Sequence, residues 1–106
     1  MDAHIVELTE TDFDDRTAQQ SGVVLFYKAN CPFCKTLEAV LDKFARANPE
    51  VPLFRADFER YESLSKRFEV VRAPTLLLLK GGQVAVRKTG LMNPRELTAL
   101  YQQAQS

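Results

Sequence analysis

The chain has 106 residues, of which 14 are basic and 14 acidic, and two are cysteines. This length predicts one domain over residues 1–106, which is large enough to bury a core without disulfide cross-links. The balanced charge argues against a nucleic-acid-binding surface, which needs clustered basic residues, and provides no electrostatic attraction to an anionic membrane.

The first part of the chain predicts a strand, a short helix and a buried strand. Ile5–Leu8 is a strand-like run, and Thr9 or Thr11 is the expected N-cap of a helix with acidic residues in its first turn. This helix is expected to end near Gln20, before a Ser-Gly pair. Val23–Tyr27 is continuously apolar and β-branched at its start, which is typical of a strand buried on both faces.

The middle of the chain carries its clearest helical pattern. Apolar residues at i, i+3, i+4 and i+7 predict one helix face, formed by Leu37, Val40, Leu41 and Phe44. Asn48-Pro49 ends this helix, and the next strand is expected over residues 51–56. Leu64 and Phe68 are four residues apart and predict a further short helix.

The last third of the chain predicts a β-hairpin and a final helix. Residues 75–79 are an apolar strand, and Gly81-Gly82 is a turn signal leading into a strand at residues 84–86. Asn93 is the expected cap of a helix that starts at Pro94, and its inner face is formed by Leu97, Leu100 and Tyr101. The order β α β α β α β β α predicts an α/β fold with a parallel sheet core and an antiparallel hairpin at its edge.

No targeting pattern is visible in the sequence. The first residues are polar and acidic rather than basic, and no apolar run approaches the length of a signal-peptide core or a membrane span. We therefore expect a cytoplasmic protein, and in the cytoplasm disulfides are usually transient and catalytic.

Both cysteines belong to one Cys-X-X-Cys motif, which follows the strand ending at Tyr27. Pro32 suits the first turn of the following helix, which makes Cys31 the predicted N-cap. Unpaired backbone N–H groups and the helix dipole then favour the Cys31 thiolate, and thiols in such motifs have pKa values of about 3.5–7.5. Cys34, one turn later, is placed to resolve a mixed disulfide formed by Cys31. The motif therefore predicts thiol–disulfide exchange.

Two lysines flank the motif and add positive charge to it. Lys28 lies three residues before the first cysteine, and Lys35 follows the second. A nearby cation favours the ionised form of a thiol, so both lysines are expected to lower the pKa of Cys31.

Other interpretations of the cysteines stay open at this point. A structural zinc site needs about four ligands, whereas the chain offers two cysteines and the distant His4. A dimer could supply four cysteines, so a zinc ion or iron–sulfur cluster shared between two chains is an alternative. Two inert core cysteines are a further alternative, although the spacing with an interposed proline favours a redox site.

The chain resembles the thioredoxin family over most of its length, from Ile5 to Tyr101. The resemblance rests on the Cys-X-X-Cys motif after an apolar strand, Ala73-Pro74-Thr75 about forty residues later, the hairpin over residues 75–82, and Gly90-Leu91 before the last helix. It implies a thioredoxin fold, with a mixed sheet of about five strands flanked by about four helices.

The resemblance also implies an activity and its partners. A thioredoxin-like protein-disulfide oxidoreductase acts on disulfides in proteins and takes electrons from thioredoxin reductase or glutathione. It is expected to be a monomer that needs no bound cofactor, because its redox group is the Cys31–Cys34 disulfide itself.

The substrate-binding residues follow from the same resemblance. The family has a cis proline beside the active-site sulfurs, here Pro74, and the backbone of the preceding Ala73 is expected to pair with an extended substrate segment. Without the resemblance a trans bond would be expected, since only about 5–6% of X–Pro bonds are cis. The implied substrate-binding set is Asn30, Pro32, Phe33, Ala73, Pro74, Gly90 and Leu91. For Gly90 and Leu91, the alternative is a plain loop.

The chain departs from the thioredoxin pattern in several places. Asn30 stands where thioredoxins usually carry Trp, and Pro32-Phe33 stands in place of Gly-Pro. Leu25 occupies the position of the buried Asp that accepts a proton from the second cysteine, so Cys34 must lose its proton to water or another group. The charged residues near this position in the predicted fold are Arg55, Asp57 and Glu59.

The local motif is closer to that of glutaredoxins, which carry Cys-Pro-Tyr-Cys and often a Lys three residues before the first cysteine. Lys28 matches that position and would bind a glutathione carboxylate, or else it is a solvated charge at the strand end. The first strand–helix unit over residues 5–20 and the thioredoxin-like residues 75–101 argue against a glutaredoxin, as does the missing Gly-Gly-X-Asp-Asp segment. A glutathione-dependent oxidoreductase is therefore the alternative function.

Overall fold

The computed structural model describes residues 4–106 and contains the predicted order of elements. The strands are β1 (Ile5–Leu8), β2 (Val23–Tyr27), β3 (Leu53–Asp57), β4 (Thr75–Lys80) and β5 (Gln83–Thr89). The helices are α1 (Phe13–Thr17), α2 (Pro32–Ala47), α3 (Glu62–Arg67) and α4 (Pro94–Gln105). In these residues, no helix is long and apolar enough to cross a bilayer.

The strands form one mixed sheet in the order β1-β3-β2-β4-β5. β1 and β2 run parallel to β3, whereas β4 is antiparallel to both β2 and β5. The central β2 is apolar throughout, and its first four residues are buried because helices cover both faces of the sheet. The predicted parallel core with an antiparallel hairpin is confirmed.

Alternate residues of the sheet supply two separate apolar layers. Val23 and Leu25 of β2 pack with α2 and α4, whereas Val24 and Phe26 pack with α1 and α3. Side chains of a strand point alternately to its two faces, so one short segment anchors both layers. The predicted inner face of α2 lies in the first layer, with Leu37, Leu41 and Phe44 fully buried and Val40 half-buried.

The two long helices start with proline and carry N-caps that the sequence predicts. In α4 the Asn93 side chain accepts a hydrogen bond from the Glu96 amide at 2.8 Å, and the Glu96 carboxylate accepts one from the Asn93 amide at 3.2 Å. This reciprocal capping box satisfies two amides that the helix leaves without internal partners. α2 ends at Ala47, and the amide of its C-cap Asn48 still donates to the Phe44 carbonyl.

The first helix is shorter than predicted and has a different cap. It ends at Thr17 rather than near Gln20, and its N-cap is Asp12 rather than Thr9 or Thr11. The Asp12 carboxylate accepts a hydrogen bond from the Thr9 amide at 2.7 Å, which fixes the turn before the helix. After Thr17 the chain reverses through Gln19, which has a left-handed backbone (φ 60°), and packs against the β4–β5 turn.

Two strand boundaries also differ from the sequence-based ranges. β3 begins at Leu53 rather than at residue 51, because the Val51 amide donates to the Asn48 carbonyl in the preceding turn. β5 extends to Thr89, beyond residue 86, because Thr89 is still paired with Thr75 of β4. This extension carries the chain back to the edge of the sheet where the cysteines lie.

Candidate active site

Cys31 is the N-cap of α2, as its position before Pro32 predicts. Its backbone is extended (φ −114°, ψ 104°), and Pro32 is the first helical residue. The Cys31 Sγ accepts a hydrogen bond from the backbone N–H of Cys34 at 3.2 Å. The sulfur therefore lies at the positive end of the helix dipole, an environment that stabilises a thiolate.

The two cysteines form a disulfide with their Cα atoms 5.2 Å apart. Cys31 is 5% exposed and Cys34 is 2% exposed, so both residues are nearly covered by the surrounding chain. The Cys31 sulfur is therefore reached only through a small opening in the surrounding surface.

Strand pairing brings two further segments to the cysteines. Phe26, near the end of β2, pairs with Thr75 at the start of β4, so residues 73–74 lie beside the end of β2 that leads to the motif. The Ala73–Pro74 peptide bond is cis. Gly90 follows the last residue of β5, and its amide donates to the Pro74 carbonyl at 3.2 Å. Residues 73–74 and 90–91 therefore lie together at the end of the sheet from which β2 leads to the cysteines.

The residues expected to contact substrate differ in their exposure. Phe33, between the cysteines, is 62% exposed, and Leu91 is 50% exposed. Pro74 is buried and Ala73 is half-buried. Asn30 is exposed and has a left-handed backbone (φ 56°), a conformation that asparagine tolerates better than most residues.

Lys28 and Lys35 are both exposed and lie on either side of the cysteines. Lys28 begins the loop between β2 and α2, and Lys35 is in the first turn of α2. Both predicted cations therefore belong to the exposed surface of the segments that carry the cysteines.

Two exposed residues at this edge are absent from the sequence-based set. Val71 is 76% exposed and Arg72 is also exposed, directly before Ala73. The Thr75 hydroxyl donates to the Arg72 carbonyl at 2.7 Å and holds this turn against β4. In the sequence, only their position directly before Ala73-Pro74-Thr75 indicates that Val71 and Arg72 lie near the site. Their exposure depends on the path of the loop after α3.

Leu25, at the position of the family's acidic residue, is fully buried in the apolar layer that contains Leu37. Its neighbour across the sheet is Arg55 of β3. The Arg55 guanidinium donates to Glu7 at 2.7 Å and to Glu38 at 3.3 Å, and it lies 4.7 Å from the centre of the Tyr27 ring. We call Glu7, Tyr27, Glu38 and Arg55 the Arg55 cluster.

The Arg55 cluster shifts the ionisation of its members. Burial raises the pKa of Tyr27 above its usual value, and the hydrogen bond that its hydroxyl donates to Glu7 at 2.7 Å raises it further. Partial burial disfavours the charged form of Arg55, but the hydrogen bond and negative charge of Glu7 outweigh it, so the pKa of Arg55 is raised. Arg55 is therefore held as a cation among carboxylates.

The other charged residues near Leu25 in the predicted fold have local partners. The Asp57 carboxylate accepts hydrogen bonds from the amides of Glu59 and Arg60 at 3.0 and 3.1 Å and so closes the turn after β3. Arg60 lies 5.5 Å from the centre of the Tyr61 ring. Among residues 4–106, no group of three or more His, Cys, Asp or Glu side chains is arranged to hold a metal ion.

Comparisons with known proteins agree with this geometry. A family model described as Thioredoxin matches residues 4–104. The chain is 31% identical to thioredoxin-1 of Saccharomyces cerevisiae over 83 residues, which cover 77% of this chain and 81% of that protein.

Two solved structures share the fold over nearly the whole chain. Reduced desulfothioredoxin from Desulfovibrio vulgaris Hildenborough is 37% identical with a TM-score of 0.80, and the match covers 97% of this chain and 99% of that one. Oxidised mitochondrial thioredoxin 3 from Saccharomyces cerevisiae is 31% identical with a TM-score of 0.81, covering 93% and 94%.

Proposed function

We propose, because the chain belongs to the thioredoxin family of thiol–disulfide oxidoreductases, that it reduces disulfide bonds in other proteins through Cys31 and Cys34. The observation that carries the proposal is the Cys31 sulfur at the N-cap of α2, hydrogen-bonded to the Cys34 amide, with its partner cysteine at bonding distance. The family model and the relatives do not favour the glutaredoxin-like alternative.

In the proposed reaction the reduced protein supplies two electrons. The Cys31 thiolate attacks one sulfur of the substrate disulfide, which forms a mixed disulfide and releases the other substrate sulfur as a thiolate that takes up a proton. Cys34 then loses its proton to water or another group and attacks the Cys31 sulfur. This step forms the internal disulfide and releases the second substrate thiolate.

The neighbouring residues are proposed to hold the substrate and tune Cys31. The backbone of Ala73 is proposed to pair with an extended segment, and strand addition of this kind is a common mode of peptide recognition. Exposed Phe33 and Leu91 offer apolar contacts, while Lys28 and Lys35 favour the thiolate. The remaining members of the proposed substrate-binding set are Asn30, Pro32 and Gly90.

Variants of the two cysteines test the order of attack. Cys31→Ser should abolish reduction of a protein disulfide such as that of insulin, because no nucleophile remains at the helix N-cap. Cys34→Ser should accumulate a covalent mixed disulfide with the substrate, visible on a non-reducing gel and removed by dithiothreitol. Full turnover by either variant would contradict the mechanism.

The electron donor is proposed to be a thioredoxin reductase, and the protein is proposed to act as a cytoplasmic monomer without a bound cofactor. Cysteine usage supports the compartment, since both cysteines belong to the redox motif and none forms a structural disulfide. Turnover with NADPH and thioredoxin reductase, compared with turnover on glutathione and glutathione reductase, tests the donor. Turnover in the glutathione system alone would overturn this choice.

A further inference from the structure

Exposed apolar side chains are concentrated around the disulfide. In residues 4–106, the exposed large hydrophobic side chains are Phe33, Val71 and Leu91, at 62%, 76% and 50%. They lie on three different segments: the start of α2, the loop before Pro74 and the loop after β5. Exposed apolar groups that cluster in this way usually mark a docking surface.

The same segments carry exposed cations within stretches of sequence that contain no acidic residue. Lys28 and Lys35 belong to a stretch with no Asp or Glu between residues 28 and 37, and Arg72 lies in an acid-free stretch over residues 70–95. The whole chain is electrically neutral, with 14 basic and 14 acidic residues, so this positive charge is local. We call Lys28, Lys35 and Arg72, together with Phe33, Val71 and Leu91, the site rim.

The cations of the site rim differ from the paired arginines elsewhere. Arg16, Arg55 and Arg67 each form an ion pair of 3.0 Å or shorter with a carboxylate. No such pair involves Lys28, Lys35 or Arg72 among the carboxylates of residues 4–106.

The charged groups next to the rim carry both signs. The β3–α3 loop contributes Asp57, Glu59 and Arg60. Glu59 lines a groove with Val71, together with Glu62 and Lys66 of α3. In formal charge, these three acidic and two basic residues leave one negative charge on this side, against the three cations of the rim. On the other side, Lys88 and Glu96 line a shallow groove beside Leu91 and balance each other in charge. The N-terminus of α2 adds the positive end of its dipole to the rim.

We infer that the protein substrates present an extended segment with apolar and acidic side chains next to the disulfide to be reduced. This inference rests on the proposed function and names the class of substrate for that site. Unpaired surface cations attract an acidic segment and speed its docking, while apolar side chains on three segments contact several residues of it. The selection of substrates then takes place when the segment docks, before the Cys31 thiolate attacks the disulfide.

Two synthetic peptides provide the test. Each contains one intramolecular disulfide flanked by Leu and Val, and they differ only in whether two nearby residues are Glu or Lys. The rate constant for their reduction by the pre-reduced protein is measured at low and at physiological ionic strength. At low ionic strength the Glu peptide should react about tenfold faster than the Lys peptide, and salt should shrink this ratio.

Charge reversal locates the effect. Arg72→Glu should lower the ratio of the two rate constants about fivefold, because it removes an attractive charge and adds a repulsive one. The matched control is Lys43→Glu, an exposed residue of α2 about 13 Å along the helix from Cys34, which should leave the ratio unchanged. A ratio is used because any change in Cys31 reactivity affects both peptides equally.

The outcomes separate this inference from the proposed function. Equal rates for the two peptides, or equal ratios in Arg72→Glu and Lys43→Glu, would overturn acidic selectivity while leaving disulfide reduction intact. Faster reduction of oxidised glutathione than of the Glu peptide would also overturn it, since the preferred anion would then be a small disulfide. Failure to reduce either peptide would instead contradict the proposed function.

Discussion

The site rim and the Arg55 cluster adjoin at Tyr27 and Lys28 but use charged and aromatic side chains in opposite ways. In the cluster, Arg55 donates hydrogen bonds to Glu7 and Glu38 and stacks on Tyr27, so each side chain has a partner within the cluster. In the rim, Arg72 and Phe33 face solvent. Charged and aromatic side chains that pair with each other stabilise the fold. Those that face solvent without such a contact are available to bind another protein.

Leu25 of β2 is fully buried next to Arg55 of β3. An apolar side chain there extends the layer under α2, and the neighbouring Arg55 takes its negative partners from β1 and α2 instead. Glu38 lies one helical turn beyond Cys34, so this pairing also links the helix that carries the cysteines to β3.

The largest contrast is expected between two residues one turn apart on α2. Leu37→Ala should lower the free energy of unfolding by about 3 kcal/mol, because Leu37 is fully buried and its removal leaves a cavity. Phe33→Ala should leave stability within about 0.5 kcal/mol and instead lower kcat/KM for protein disulfides. Urea unfolding and insulin reduction measure the two effects, and a large loss of stability in Phe33→Ala would break the distinction.

Matched arginine substitutions sharpen the same contrast. Arg55→Met should cost about 1.5 kcal/mol, because it removes two ion pairs and a cation–π contact and leaves Glu7 and Glu38 close together. Arg72→Met, which breaks no ion pair, should change stability by less than about 0.5 kcal/mol. Urea denaturation of both variants measures the difference, and equal losses would show that the pairing in the cluster is not stabilising.

Tyr27 makes the stability contributed by the Arg55 cluster depend on pH. Its pKa is raised in the folded protein, so the stability contributed by this shift is present below the unfolded value of about 10 and is lost as pH rises toward the folded pKa. Tyr27→Phe should cost about 1 kcal/mol at neutral pH, where the hydrogen bond to Glu7 is lost. Above pH 10 its stability should fall less steeply than that of the native protein. Parallel pH profiles in urea titrations would contradict this assignment.

Sequence periodicity predicted the elements that pack, and it was less informative about those that turn. The strand at Val23–Tyr27 and the inner face of α2 each have a clear apolar pattern in the sequence. Because such patterns reflect which residues are buried, both elements could be predicted from the sequence. Just after the early end of α1, Gly82 of the β4–β5 turn packs closely against the backbone of Gln19. No local pattern records such a contact between distant segments.

The site shows the same division. The Cys31 cap follows from residues adjacent in sequence, since Pro32 fixes where α2 starts. The cis bond before Pro74 could be expected only from the resemblance, because trans is the default for an X–Pro bond. The exposure of Val71 and Arg72 could not be predicted from the sequence, because it depends on the conformation of the loop before Ala73.

The smallest effect is expected for a paired charge at the far surface. Arg67 bonds to Asp14 at 2.7 Å, and this hydrogen bond lowers the pKa of Asp14, so the contribution to stability is present above pH 3.8 and is lost as pH falls through the lowered pKa. Asp14→Asn should cost at most about 0.5 kcal/mol at neutral pH, because both side chains are exposed and salt screens them.

Asp15→Asn is the matched control for this surface pair, since Asp15 lies in the same first turn of α1 and takes part in none of the ion pairs of residues 4–106. Both substitutions remove one negative charge from the helix N-terminus, so the difference between them isolates the contact with Arg67. Equal losses in urea unfolding would mean that the helix dipole accounts for the whole effect. Pairing would then stabilise this protein only where the charges are partly buried, as at Arg55.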